Sequence, residues 1–153
     1  MTYRKGTLDD AKIIYDLICD MENKKLPYNK FIEIYSAQLK NENYYCLICE
    51  TDKKVIGVLN LRFEEQLHHT ENIAEIMEFS VLPQCRNQGV GKKMIEEAFK
   101  IAQKTGCSQI EVACNQLRKD THRFYTKEGM HNFHFKFSKR LLGEDSPDNM
   151  LGK

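Results

Sequence analysis

The chain has 153 residues, of which 41% are hydrophobic and 29% charged, with a net charge of +1. That is enough for one domain with a genuine core, and it lacks the basic excess on which a nucleic-acid binder relies, so no nucleic-acid partner is expected. No apolar run reaches the roughly 18 residues needed to cross a bilayer, and Met1-Thr2-Tyr3-Arg4-Lys5 leads into polar residues instead of a signal core, so the reading is a cytoplasmic protein with no membrane partner.

The chain opens with a short strand near residues 3–6. Thr7 then caps a helix in which Ala11, Ile14, Leu17, Ile18 and Met21 recur at helical spacing, with Asp9 and Asp10 in the favoured first turn. Pro27 interrupts it, and a second helix over about residues 29–40 turns Phe31, Ile34, Tyr35 and Leu39 inward. Residues 44–50 and 55–63 read as strands joined by the turn Thr51-Asp52-Lys53-Lys54, an antiparallel hairpin. Cys46 and Cys49 have CxxC spacing, but on a strand residues three apart face opposite sides, and with no secretion signal all six cysteines are expected to be reduced. Residues 64–72 read as a polar loop and 73–82 as the next strand. A helix over 89–104 ends at Gly106, a strand covers 108–114, and a helix within 115–128 stops at Gly129. Residues 130–140 alternate Phe133, Phe135 and Phe137 against His134, Lys136 and Ser138, the pattern of a half-buried strand. Residues 143–153 are polar, contain Pro147, and should form a flexible tail behind a single domain of residues 1–142.

This order predicts an α/β layered fold with a mixed central sheet flanked by helices, whose ligands sit beyond the carboxyl ends of strands. Residues 83–91 are such a place. Their two glycines, between a buried strand and a helix, aim bare backbone N–H groups and the positive end of a helix dipole at one spot, which suits an anion such as a pyrophosphate. A phosphate-binding P-loop would need Gly where Arg86 stands and Ser or Thr where Lys93 stands, and a dinucleotide fingerprint would need Gly at Met94.

What remains is Arg86-x-x-Gly89-x-Gly91 after Val81-Leu82-Pro83, which resembles the acetyl-CoA loop of the GNAT N-acetyltransferase superfamily. Arg118-x-x-Thr121-His122-Arg123-Phe124-Tyr125-x-x-x-Gly129-Met130 looks like the family's second signature, with Thr121 in place of the usual Ala and Met130 in place of the usual aromatic. Leu67-His68-His69, Ala74-Glu75-Ile76-Met77-Glu78, the run from Val81 to Arg86, His122 to Tyr125, and the closing Phe133-His134-Phe135-Lys136-Phe137 are similar to a narrower branch, the aminoalkylphosphonate N-acetyltransferases. The resemblance implies the GNAT acyl-CoA N-acyltransferase fold, of α+β type, and acetyl-CoA as the acetyl source. It also implies pyrophosphate held by backbone N–H groups of Arg86, Asn87, Gln88, Gly89, Val90 and Gly91, and pantetheine paired with Val81 in strand fashion. Asn115 would touch pantetheine, and a bulge would free a backbone N–H near Phe79 to Val81 for the oxyanion. A homodimer is common in the superfamily.

The residue types support transfer chemistry. A primary alkylamine with a pKa of about 10 is mostly protonated at neutral pH, so a base must take a proton. Glu75 is the candidate, directly or through a water; Glu78 is the rival, and in a regular strand it would face the opposite side. Tyr125 suits the acid, because a phenol of pKa about 10 stays protonated at neutral pH. His68 and His69 are either an exposed loop pair or part of a site for the phosphonate or another acid. They do not make a metal site by spacing, although a divalent cation assisting phosphonate binding stays open. His131 and His134, three apart on the last strand, do not chelate. The expected acceptor is the amine of a small molecule, an aminoalkylphosphonate first. Aminoglycosides, polyamines, peptide amines and a non-catalytic acyl-CoA-binding module are the alternatives.

Overall fold

The computed structural model describes residues 1–143, so the expected tail, apart from Gly143, lies outside the described residues. Residues 1–112 form one unit. Its sheet takes β1 (Thr2–Lys5), β2 (Tyr44–Thr51), β3 (Lys54–Gln66), β4 (Glu71–Val81) and β5 (Cys107–Val112) in sequence order. Every pairing is antiparallel except β4 with β5, so the sheet is mixed as expected.

The two faces follow from the pleat. α1 (Ala11–Glu22) and α2 (Tyr28–Leu39) bury Ile14, Leu17, Ile18 and Tyr35 against Cys46, Ile48 and Val58. Each fully buried aliphatic contributes about 1.5–3 kcal/mol. α1 is preceded by a 3-10 turn whose Asp10 carboxylate accepts the Thr7 N–H at 2.8 Å. Arg4 grips that carboxylate with both terminal nitrogens at 2.7 Å and holds it below the ordinary carboxylate range. α3 (Val90–Lys104) covers the other face with Met94, Ile95 and Ala98 fully buried. A side chain at Gly57 would bring Cβ within 2.6 Å of Met94 Sδ, so glycine there lets α3 sit close to the sheet.

The expected polar loop over 64–72 is corrected: Glu65 pairs with Asn72 and Gln66 with Glu71, leaving a turn of residues 67–70. Ladder hydrogen bonds are made by the backbone, so polar side chains do not end a hairpin. Cys46 and Cys49 both lie on β2, opposite Asn60 and Gly57, and burial pushes the Cys46 thiol up to about 12.

Residues 113–143 form the second unit, which carries α4 (Lys119–Lys127) with Gly129 in the left-handed conformation just beyond it. The strand expected over 130–140 is absent: residues 131–140 join no ladder, and Phe133, Phe135 and Phe137 are exposed. The alternation is real, but a strand exists only in a pair, and nothing among the described residues pairs with this one.

Candidate active site

β4 carries the site. Arg62 stands opposite Glu75 and Leu61 opposite Ile76, but Asn60 stands opposite Glu78, so Met77 is an extra residue, a β-bulge. The insertion re-phases the pleat. Glu75 and Glu78, which a regular strand would send to opposite sides, both meet alternate residues of β3 on the face covered by α1 and α2. Arg62 Nη2 donates to Glu75 Oε2 at 2.7 Å, and Asn60 Nδ2 donates to Glu78 Oε2 at 3.2 Å. Farther along the same face, the buried Ser80 hydroxyl donates to the Leu17 carbonyl at 3.0 Å, fastening β4 to α1.

The bulge expected near Phe79 to Val81 is therefore misplaced, because Phe79, Ser80 and Val81 pair in regular register with Leu59, Val58 and Gly57. What changes there is the other edge. The parallel ladder with β5 ends at Ile76 and Val112, so residues 77–81 run on beyond their β5 neighbour. A strand edge that loses its neighbour is where an extended ligand can add hydrogen bonds in strand fashion.

Beyond Val81 a 3-10 turn (Pro83–Cys85) leads to Asn87 at φ +60° and Gly89 at φ +81°, the N-cap of α3. The first N–H groups of a helix have no acceptor inside it, so the corner from Gly89 through Gly91 presents backbone donors. A Cβ built on Gly89 meets no atom within 4 Å, so only its dihedral demands glycine and an approaching group finds bare backbone. That is the fit a diphosphate requires. Gly89→Ala is expected to cost about 1 kcal/mol of stability through the left-handed dihedral, a melting temperature lower by roughly 3 °C, and calorimetry should show a larger proportional loss in coenzyme A affinity.

The Arg86 side chain is a strut. Its Nε donates to the Val81 carbonyl at 2.9 Å and its Nη2 to Asp20 Oδ2 at 2.7 Å, joining the end of β4 and the last turns of α1 to the loop. The pair is half exposed, so Asp20→Asn should leave the fold stable and weaken acetyl-CoA binding about three- to tenfold without moving the KM of the amine. Gln88 Nε2 donates to the Gln84 carbonyl at 3.1 Å, closing the loop on itself.

Within the second unit, Asn115 Oδ1 accepts the Leu117 N–H at 2.8 Å and its carbonyl contacts His122 Nε2 at 2.7 Å, so Asn115 shapes the turn into α4. Burial pushes the Tyr125 phenol up to about 12, with Cys114 adding to the rise and Arg118 opposing it.

His68 and His69 occupy the tip of the β3–β4 hairpin, with His69 Nδ1 at 2.6 Å from Gln66 Oε1. Four residue steps along β4 take Glu71, at the base of that tip, to Glu75, about 13 Å away. Among the described residues no group of three His, Cys, Asp or Glu side chains could hold a metal ion, and no helix is long and apolar enough to cross a membrane.

Asn60 and Arg62 are functional candidates that the sequence reading passed over. Asn60 Oδ1 and Arg62 Nε are buried without a hydrogen-bond partner among the described residues. Orphaned polar atoms of this kind mark a site or a bound water. A cavity of about 10 Å3 lined by Asn60, Cys46, Tyr35 and Tyr44 has room for about one water. The signal was available: two polar residues at alternate positions interrupt the apolar run of β3.

Comparison with known proteins bears on the family and the fold. The model of the acetyltransferase (GNAT) family matches residues 12–130. An aminoalkylphosphonate N-acetyltransferase of Salmonella typhimurium is 34% identical over 90% of this chain and 90% of its own. Among solved structures, a transcriptional regulator from Bacillus halodurans C-125 superposes with a TM-score of 0.85 at 21% identity, over 92% of this chain and 99% of that one. An aminoglycoside 6'-N-acetyltransferase from Acinetobacter haemolyticus does so with a TM-score of 0.75 at 18% identity, over 92% and 99%. At those identities the two structures speak to fold alone.

Proposed function

The chain belongs to the acetyltransferase (GNAT) family, acetyl-CoA-dependent N-acetyltransferases, and from that premise we propose that it acetylates the primary amine of an aminoalkylphosphonate, with Glu75 as base and Tyr125 as acid. The observation that carries the substrate is the 34% identity, across nine-tenths of both chains, to a protein with that activity.

When bound, acetyl-CoA supplies an acetyl thioester open to attack by the amine. The corner from Asn87 to Gly91 would hold its diphosphate through backbone N–H groups, the Arg86 N–H that was expected to join them being donated to the Pro83 carbonyl at 3.3 Å, with Val81 meeting the pantetheine arm along the strand edge left beyond Ile76. Asn115 is the further pantetheine contact in this reading.

Glu75 takes the proton of the attacking ammonium. Arg62 holds Oε2 of its carboxylate, and in this reading Oε1 accepts the proton directly or through one water. Glu78, brought to the same face by the bulge, adds a second negative charge that favours a cationic acceptor there. Tyr125 keeps its proton at neutral pH, because burial has raised its phenol, and holds that proton at its hydroxyl for the departing sulfur.

A thiol-release screen with acetyl-CoA tests the substrate. Aminomethyl- and aminoethylphosphonate should show the highest kcat/KM against polyamines, amino acids and aminoglycosides. If phosphonates rank below the others the substrate assignment falls, and if no amine releases thiol the chain is an acyl-CoA-binding module.

A further inference from the structure

Arg62 is the sole Lys or Arg between Lys54 and Arg86, in a stretch that holds Glu64, Glu65, Glu71, Glu75 and Glu78. β3 and β4 place it directly opposite Glu75, with Nη2 2.7 Å from Oε2. That is its one hydrogen bond among the described residues, although a guanidinium has donors on each of its nitrogens. Glu64 Oε2, at 3.9 Å from Nη2, is beyond hydrogen-bond reach, and the Nε–H is buried and unpaired. Donors left unspent in this way call for a partner that the chain itself does not supply. The side chain is 33% exposed, so a solute can reach it. Neighbouring Asn60 does not take this part: its Nδ2 is given to Glu78, and its orphaned Oδ1 is an acceptor, which an anion repels.

We propose that Arg62 recognises the phosphonate of the acceptor, the N–H groups not given to Glu75 donating to phosphonate oxygens while the ammonium, one or two carbons away, lies at Glu75. This rests on the aminoalkylphosphonate reading above and deepens it. Such a substrate carries its opposite charges one or two carbons apart, and Arg62 with Glu75 is the same pair of charges in reverse, held at hydrogen-bond distance. A guanidinium meets phosphoryl oxygens in pairs, which an ammonium does not. The acidic surroundings act in the same sense. Glu64, Glu75 and Glu78 repel an anion along these two strands everywhere but at Arg62, which fixes which way round the acceptor lies and brings its nitrogen to the base.

Acceptor kinetics with aminoethylphosphonate and n-propylamine, which has a methyl group in place of the phosphonate, test this. In the wild type the phosphonate should be preferred in kcat/KM by at least about 100-fold. Arg62→Met should raise the KM for aminoethylphosphonate at least about 30-fold and that for n-propylamine at most about threefold, because a charge-assisted pair is lost from one substrate only. Loss of the tether on Glu75 should lower kcat with both amines alike. A residue that merely positions Glu75 would leave the preference intact, and that result overturns the proposal while the substrate reading stands. No preference in the wild type would overturn both. Should Arg62→Met fail to fold, Arg62→Gln, which keeps a donor for Glu75 and loses the charge, decides by the same two KM values.

Discussion

Glu75→Gln is expected to lower kcat for acetyl transfer by about 10²–10³ at neutral pH, the usual worth of a positioned general base. Acetyl-CoA affinity by calorimetry should stay within about twofold, since nothing in the loop is touched. The amide keeps the size of the side chain and can still meet Arg62, but it cannot accept a proton. Glu78→Gln is the control that the bulge makes informative. With both carboxylates on one face, the loss at Glu78 should fall mainly on the KM of the amine, about tenfold, as one of two charges holding the ammonium is removed. A larger fall in kcat for Glu78→Gln than for Glu75→Gln would exchange the two roles.

Tyr125→Phe should reduce kcat about tenfold to a hundredfold, with little change in either KM, because the ring is retained and only the proton donor is lost. The raised phenol has a sign that can be read in the pH profile. A group acting as an acid is lost as pH climbs through its pKa, and here that lies near 12 instead of near 10. The rate should therefore rise as bases deprotonate and then stay level to about pH 10, with no falling limb at the ordinary tyrosine position. A clear fall centred near pH 10 in the wild type that vanishes in Tyr125→Phe would show an unburied phenol at work.

Much of the fold could be read from the chain because its helices and central strands announce their own periods. Ile14, Leu17 and Ile18 recur at helical spacing and are buried where that spacing puts them. The glycine corner was legible because its dihedral is local: Gly89 takes φ +81° whatever surrounds it. The bulge at Met77 was not, since register belongs to a pair of strands and one extra residue on β4 leaves no trace until β3 lies beside it. That single insertion governs whether Glu75 and Glu78 share a face, so the arrangement of the site could not be derived from β4 alone. The last strand failed for the complementary reason. Phe133 to Phe137 encode a face, but not the neighbour that would cover it.

At the centre stands the claim that the corner from Asn87 to Gly91 grips the diphosphate of coenzyme A. Titration calorimetry with acetyl-CoA and with S-acetylpantetheine, which has the thioester and amides but no diphosphate, tests it directly. One saturable site per chain for acetyl-CoA, and affinity at least about 100-fold weaker for the fragment, about 2.7 kcal/mol, is the predicted result. Equal affinity for the two, or no heat with acetyl-CoA from folded protein, would contradict it.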